Sequence, residues 1–307
     1  MTIILQQLLY LYIFLFLGWL FGKLKKDLSS HTGLLSFLLV NLFLPAKVFG
    51  TFQKNFTTTY VTENYATVLT SLGLLLLLVA VARPLAGLLT KDPFRRKVYR
   101  YTITVSNYAY MGYVLIGELY GASALTDLIL FCIPFAFYTY TFGYTMLTGK
   151  DSSFKRLLNP LSAAILLGIV FGLFQIPMPA ILDNVLTASS ACVGPISMVL
   201  TGLALSAFSL RELVTDKSTY VVVALRLLLL PLAVFGLFKL ICLTGWVPAS
   251  SLTSAVIMAA MPSGLNTIVF PKLVGEDCKP GARLAFLSHL LSVLTLPVWL
   301  MILEKGA

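Results

Sequence analysis

Charge is scarce in this sequence, and it is unevenly spread. Asp, Glu, Lys and Arg make up 11% of the 307 residues, against roughly 25% in a soluble domain. With 58% hydrophobic residues and a mean hydropathy of +0.92, the composition is that of a membrane protein. No Asp or Glu lies near the centre of any long apolar run. That pattern argues against a carboxylate proton relay or a carboxylate-rich sodium site, although backbone carbonyls alone could hold sodium. Cysteine is also sparse. Cys132, Cys192, Cys242 and Cys278 form no CxxC pair, and the first three sit inside apolar runs. They read as small packing residues, with no disulfide framework and no metal site. No basic stretch precedes the first apolar run, Ile3 to Phe21, so it reads as a transmembrane helix and not as a cleaved signal peptide.

What is abundant is apolar length. Ten spans are expected, at 3–22, 31–50, 64–89, 98–120, 123–148, 159–176, 185–208, 218–243, 250–273 and 281–303. The punctuation between them is charged or proline-rich. Lys91-Asp92-Pro93-Phe94-Arg95-Arg96-Lys97 separates the third and fourth spans, and a linker at 149–158 divides the halves. The net charge of +10 would by itself fit a nucleic-acid partner, but its distribution does not. Seventeen of the 22 Lys and Arg fall in or beside the loops after spans 1, 3, 5, 7 and 9; Lys47, Lys54, Arg226, Lys239 and Lys305 lie elsewhere. The positive-inside rule places those odd loops in the cytoplasm and both termini outside.

The two halves resemble each other. Phe16-Leu17-Gly18-Trp19-Leu20-Phe21-Gly22 matches Leu166-Leu167-Gly168-Ile169-Val170-Phe171-Gly172 at an offset of 150 residues, and Pro45 meets Pro195 at the same offset. This predicts a repeat over 1–148 and a second over 159–307. Five spans per repeat force the second copy to enter from the opposite side. The expected fold class is therefore an all-α membrane protein, with ten transmembrane helices in two inverted five-helix repeats. Inverted repeats supply two pseudo-symmetric states, the basis of alternating access.

Two apolar spans look broken at matching places. Span 4 carries Val105-Ser106-Asn107-Tyr108-Ala109-Tyr110-Met111-Gly112, and span 9 carries Met261-Pro262-Ser263-Gly264-Leu265-Asn266. A backbone opened in mid-membrane must face protein or a polar cavity. Interrupted segments at corresponding positions of two halves point to a secondary transporter's binding site. Ser106, Asn107, Gly112, Pro262, Ser263, Gly264 and Asn266 are thus the candidate substrate-binding residues. Pro262 removes an amide donor, and free N–H groups near Gly264 would favour an anion, particularly a carboxylate. Against this stand an interhelical glue role for Asn107 and a simple proline kink at Pro262.

Pro45, Pro195, Arg226 and His289 are candidates for gating or for the wall facing the breaks. The prolines could equally be plain kinks. Arg226, about eight residues into span 8, could equally snorkel to the cytoplasmic interface. Lys47 is expected to snorkel outward. His289 reads as a satisfied buried histidine or a proton-sensitive gate. Ser263 with His289 also admits an intramembrane serine hydrolase, but Met261 stands where a Gly-x-Ser-Gly motif needs glycine. A channel or sensor of the same fold is the remaining class.

These segments resemble the auxin efflux carrier family, with its bacterial malate or malonate permease-like members and plant auxin carriers. The resemblance covers essentially the whole chain. It is carried by Asn159-Pro160 through Ile176-Pro177-Met178-Pro179, by Gly194-Pro195-Ile196-Ser197 through Leu205, by Met261-Pro262-Ser263 with Gly275-Glu276-Asp277, and by Ser288 through Pro297. Span 4 keeps Asn107 and Gly112 but has Ala109 and Val114 where Gly and Pro are usual, which predicts a less sharply broken first crossover. The resemblance implies a fold like that of bile-acid–sodium symporters. Spans 1, 2, 6 and 7 would form a scaffold, often a homodimer interface, and spans 3–5 and 8–10 a transport domain moving as an elevator. It implies a secondary active carrier of small organic anions in the cell (plasma) membrane, not an enzyme. No cofactor is expected, and coupling to protons or sodium is left open.

Overall fold

A computed structural model describes residues 2–29, 32–150 and 158–306. Most of the predicted linker at 149–158, with Lys155 and Arg156, lies outside the described residues. Among the described residues the chain is helical throughout, apart from one isolated bridge. By length and apolar composition, seven helices can cross a membrane: Ile3–Leu24, Thr32–Asn55, Thr58–Leu89, Tyr108–Thr148, Ala180–Ser206, Lys217–Leu243 and Lys279–Glu304. Pro160–Leu173 and Ser250–Ala260 are shorter apolar helices.

The stretch Tyr108–Thr148 has 41 residues, about 60 Å if straight, twice the hydrocarbon thickness. It is not straight. Gly121 adopts φ 82°, ψ −174°, which a residue with a Cβ rarely tolerates. The chain doubles back there, so that a Cβ on Gly117 would lie 3.3 Å from the Leu125 side chain and one on Gly112 would lie 3.8 Å from that of Leu128. The expected cut between spans 4 and 5 falls on this glycine. Several other expected ends move outward. The span 3 helix starts at Thr58, where Thr57 accepts a hydrogen bond from the Tyr60 N–H, and Asp92 with Pro93 opens span 4 five residues early.

Side-chain contacts sort the loops into two sets. At one end, Lys23 Nζ donates to the Phe208 carbonyl at 2.7 Å, joining the segments after spans 1 and 7. At the same end Asp216 takes Arg95 at 3.0 Å and Arg283 at 3.4 Å, and Lys279 meets Glu212 at 3.2 Å, which adds the segments after spans 3 and 9. At the other end, Lys54 pairs with Asp183 at 2.7 Å, Gln53 Nε2 donates to the Ile176 carbonyl, and Tyr60 donates to Asp127 at 2.6 Å. Odd connections touch odd ones, and even touch even.

Glycines set the closest helix contacts, as expected where lipid removes the hydrophobic drive between helices and backbone approach must replace it. A Cβ on Gly18 would stand 2.2 Å from the Val199 carbonyl, and one on Gly202 would stand 2.0 Å from that of Leu15. Spans 1 and 7 are in backbone contact there. Gly168 and Gly172 bring span 6 nearly as close to span 2, with Cβ positions 2.8 and 2.6 Å from the nearest atoms of Phe52 and Phe56. The pairs correspond: Gly18 with Val199 and Gly22 with Ser206 become Gly168 with Phe49 and Gly172 with Phe56 when one partner moves up and the other down by 150 residues.

Two tests follow from this packing. Gly202→Val forces the Leu15 and Trp19 backbones apart, and an overpacking cost of about 1–3 kcal/mol or more lowers the melting temperature in detergent. Gly73→Ala, inside a helix and with open space around it, does not lower the melting temperature and raises it slightly. Asp216 supplies the second test. Burial pushes its carboxyl up, but hydrogen bonds from Ser218 and the charges of Arg95 and Arg283 outweigh that and hold it below the usual carboxylate range. A depressed carboxyl contributes stability above its unfolded pKa, near 4, and loses it as pH falls through the lower folded value. Wild type therefore melts higher than Asp216→Asn at pH 7, and the two converge as pH falls below the unfolded value and through the lower folded one.

Candidate functional site

Both expected breaks are present, and they meet. The first half of span 4, Pro93–Thr104, ends at Val105, whose φ −120° and ψ 133° are extended. Helix resumes at Tyr108 as a π turn, Tyr108–Gly112. The break is therefore three residues, and it is sharp although Val114 stands where the family pattern has proline. The local cause is the run Thr102-Ile103-Thr104-Val105, whose branched side chains disfavour helix, followed by Ser106 and Asn107, which compete for backbone hydrogen bonds. In span 9, Ser250–Ala260 ends at an extended Met261, φ −62° and ψ 147°, and Asn266–Lys272 follows.

The two open strands of backbone pair with each other. Ser106 and Ser263 form an antiparallel bridge, and the Asn107 N–H donates to the Pro262 carbonyl at 2.8 Å. Ser106 Oγ donates to the Met258 carbonyl at 2.6 Å, and the Ser263 N–H donates to Ser288 Oγ at 2.9 Å. Gly264 permits the approach, since a Cβ there would lie 3.3 Å from the Ser106 carbonyl oxygen.

Arg226 closes the arrangement. It is fully buried, with its Nε 3.2 Å from the Met261 carbonyl, one terminal nitrogen 3.1 Å from that of Ile103, and the other 2.9 Å from that of Met258. It does not snorkel. His289 is 2% exposed. Its Nδ1 donates to the Ala285 carbonyl at 2.7 Å, so its Nε2 accepts from Asn107 Nδ2 at 3.2 Å. This is the satisfied histidine, and it holds the Asn107 side chain in place. With both ring nitrogens so engaged, His289 makes no hydrogen bond to Ser263 Oγ, which is buried without a partner. The hydrolase arrangement is not formed.

A cavity of about 30 Å³ lies against the crossing, room for a water molecule. Of the expected residues, Ser106, Asn107, Gly264 and Asn266 line it. Pro262 and Ser263 stand behind it in the bridge, and Gly112 packs instead on the Met261 side chain, 3.4 Å from where its Cβ would be. Pro195 sits beside Ser197, whose hydroxyl lies 3.2 Å from the Tyr110 carbonyl, so span 7 walls the second half of span 4. Pro45 is buried just after a π turn, Leu39–Phe43, in span 2. Lys47, expected to point outward, is 8% exposed and stands 3.8 Å from a Cβ position on Gly117.

Tyrosine was the missed signal. Tyr108, Tyr110 and Tyr140 line the cavity with Thr139, Leu161 and Leu265, and Asn266 Nδ2 donates to the Tyr101 hydroxyl at 3.1 Å. The density of tyrosines between 99 and 144 could have been read as a second, polar-tipped apolar wall. Leu265 also lines a cavity of about 520 Å³ at the basic end, bounded by Ser36, Ala204, Phe208, Ile268 and Lys272. Leu265 is thus common to the linings of the small cavity and the large one.

The fold and the crossing of two broken apolar helices define a multi-pass membrane transport protein. The family model described as "Membrane transport protein", that of the auxin efflux carriers, matches residues 3–156 and 149–300, and the chain belongs to this family. An "Uncharacterized transporter" of Methanothermobacter thermautotrophicus is 27% identical over 202 residues, covering 64% of this chain and 65% of the relative's own length.

Gly264→Val tests the crossing itself. Its branched side chain must displace the Ser106 backbone, so the melting temperature falls and the Ser106–Ser263 bridge opens. In hydrogen exchange the Asn107 amide then loses protection, while amides of the span 1 and span 7 contact keep theirs.

Proposed function

We propose that this chain is an elevator-type secondary carrier of a small organic anion, a carboxylate, in the cell membrane. The observation that carries the reading is the pairing of the two breaks, Asn107 N–H to Pro262 carbonyl, beside a cavity lined by two asparagines and three tyrosines. Backbone opened in mid-membrane is tolerated only where protein or a cavity meets it, and secondary transporters use such places to bind substrate.

In this reading the chain crosses ten times, as two inverted repeats over 1–148 and 159–307, in the manner of bile-acid–sodium symporters. Three observations support it: the doubling back at Gly121, the sorting of odd from even connections, and the paired glycine contacts at an offset of 150 residues. The basic end faces the cytoplasm and both termini lie outside. Spans 1, 2, 6 and 7 form the scaffold of a homodimer, and spans 3–5 and 8–10 move against it. Leu161 on span 6 faces the site from the scaffold side. At about 30 Å³ the site is closed, since ligand pockets run to about 300–1,000 Å³. Substrate entry from the 520 Å³ cavity requires Leu265 and the half-helix behind it to shift.

The test is uptake of labelled malonate, malate and indole-3-acetate into proteoliposomes. Wild type accumulates at least one of them above empty vesicles. Asn107→Ala removes a hydrogen-bond donor worth about 1.5–3 kcal/mol to a charged ligand and lowers that uptake roughly 10- to 100-fold. Uptake by the variant equal to wild type sinks the site assignment.

A further inference from the structure

Arg226 is the one fully buried cation among the described residues, and no carboxylate among them pairs with it. Its partners are three backbone carbonyls, and their positions are specific. In a helix the Met258 carbonyl would accept from residue 262, but Pro262 has no N–H. The Ile103 carbonyl would accept from residue 107, but the Asn107 N–H is given to Pro262 across the crossing. Met261 is the residue that ends its half-helix. The guanidinium therefore reaches the C-terminal ends of both first half-helices, Pro93–Thr104 and Ser250–Ala260, and meets carbonyls that the breaks deprive of their helical N–H donors, sharing that of Met258 with the Ser106 hydroxyl.

A helix C-terminus carries roughly half a negative charge. Where discontinuous helices cross in transporters, such ends and their unwound carbonyls are the groups that hold a coupling cation. We propose that Arg226 is a tethered cation at this crossing: it occupies the carbonyls that a free monovalent cation would otherwise take, and its fixed charge biases the adjacent cavity toward an anion. Arg226 is thus a positioning and specificity-determining residue. It touches the breaks and not the cavity, whose lining begins two residues beyond Ile103, at Val105. The anion bias rests on the crossing being the substrate site; the replacement of a free cation rests on the carbonyl geometry alone.

The test needs no substrate. Melting temperature is measured on purified protein in choline chloride, in sodium chloride, and in choline chloride with millimolar methylguanidinium. Wild type melts alike in all three. Arg226→Gln melts several degrees lower in choline, and sodium or methylguanidinium recovers at least half of the loss by filling the vacated carbonyls. Arg226→Lys, which keeps the charge, stays near wild type and gains nothing from sodium; if the Gln variant does not fold, the wild-type and Lys arms decide. A saturable sodium stabilisation of wild type would overturn the proposal, because the carbonyls would then be open. So would a Gln variant that melts as low in sodium and methylguanidinium as in choline, since Arg226 would then be structural only. A carboxylate panel that shows no uptake by wild type would count against the proposed function and leave these melting results standing.

Discussion

The structure depends on how two opened helices satisfy their backbones away from water. Each break strands carbonyls: Pro262 withholds a donor from Met258, and the Asn107 N–H leaves Ile103 to reach Pro262. An unsatisfied polar group in hydrocarbon costs several kcal/mol, so neither break could stand alone. The Arg226 guanidinium supplies donors to both at once. A buried guanidinium is itself costly without compensation, and the aligned carbonyl dipoles of two half-helices provide it. Each break supplies part of what the other lacks, and Arg226, with the Ser106 hydroxyl at Met258, supplies more. The same logic recurs nearby: Pro231 leaves the Leu227 carbonyl without its helical donor, and Trp299 Nε1 fills the place at 2.8 Å.

Around this crossing several helices pack through glycine. Spans 1 and 7, and spans 6 and 2, press backbone to backbone through Gly18, Gly202, Gly168 and Gly172. Contacts so close leave little room to slide. The elements that carry the crossing have one contact as close, where a Cβ on Gly281 would stand 2.0 Å from the Thr267 carbonyl, and they also carry tyrosines and π turns. Three π turns, at Tyr108–Gly112, Thr139–Gly143 and Leu225–Leu229, carry cavity residues or Arg226 itself. Such turns widen a helix by one residue and gather at functional sites.

Much of this was legible in the residues. Composition fixes the solvent, the glycine and proline repeats mark the register between halves, and Ser, Asn, Gly and Pro inside apolar runs mark the breaks. What the residues left open or misplaced has definite causes. Arg226 lies about eight residues into its span, a depth from which a straight helix lets arginine snorkel, so both of its readings stood open; only the neighbouring spans reveal three carbonyls within its reach. Span 4 was expected to be blunt for want of a proline, but a run of branched residues before Ser106 opens it equally well. Gly112 was read as a binding residue from its place in the motif, and the turn of the helix points it at Met261. The tyrosines of spans 4 and 5 passed for ordinary apolar residues because their hydroxyls converge only after the chain doubles back at Gly121.

The sequence by itself determined that the chain lives in a membrane, where its helices break, and which short polar segments must find partners there. Those are local consequences of solvation and backbone chemistry, and they need no knowledge of neighbours. The tertiary structure alone decided how the breaks are satisfied: that they pair with each other, that a single arginine from a third span serves both, and that His289 spends its ring on Asn107 and Ala285. Hydrogen-bond partners 123, 155 and 182 residues apart cannot be read from spacing along a helix, because they are chosen by which segments the fold brings to one depth.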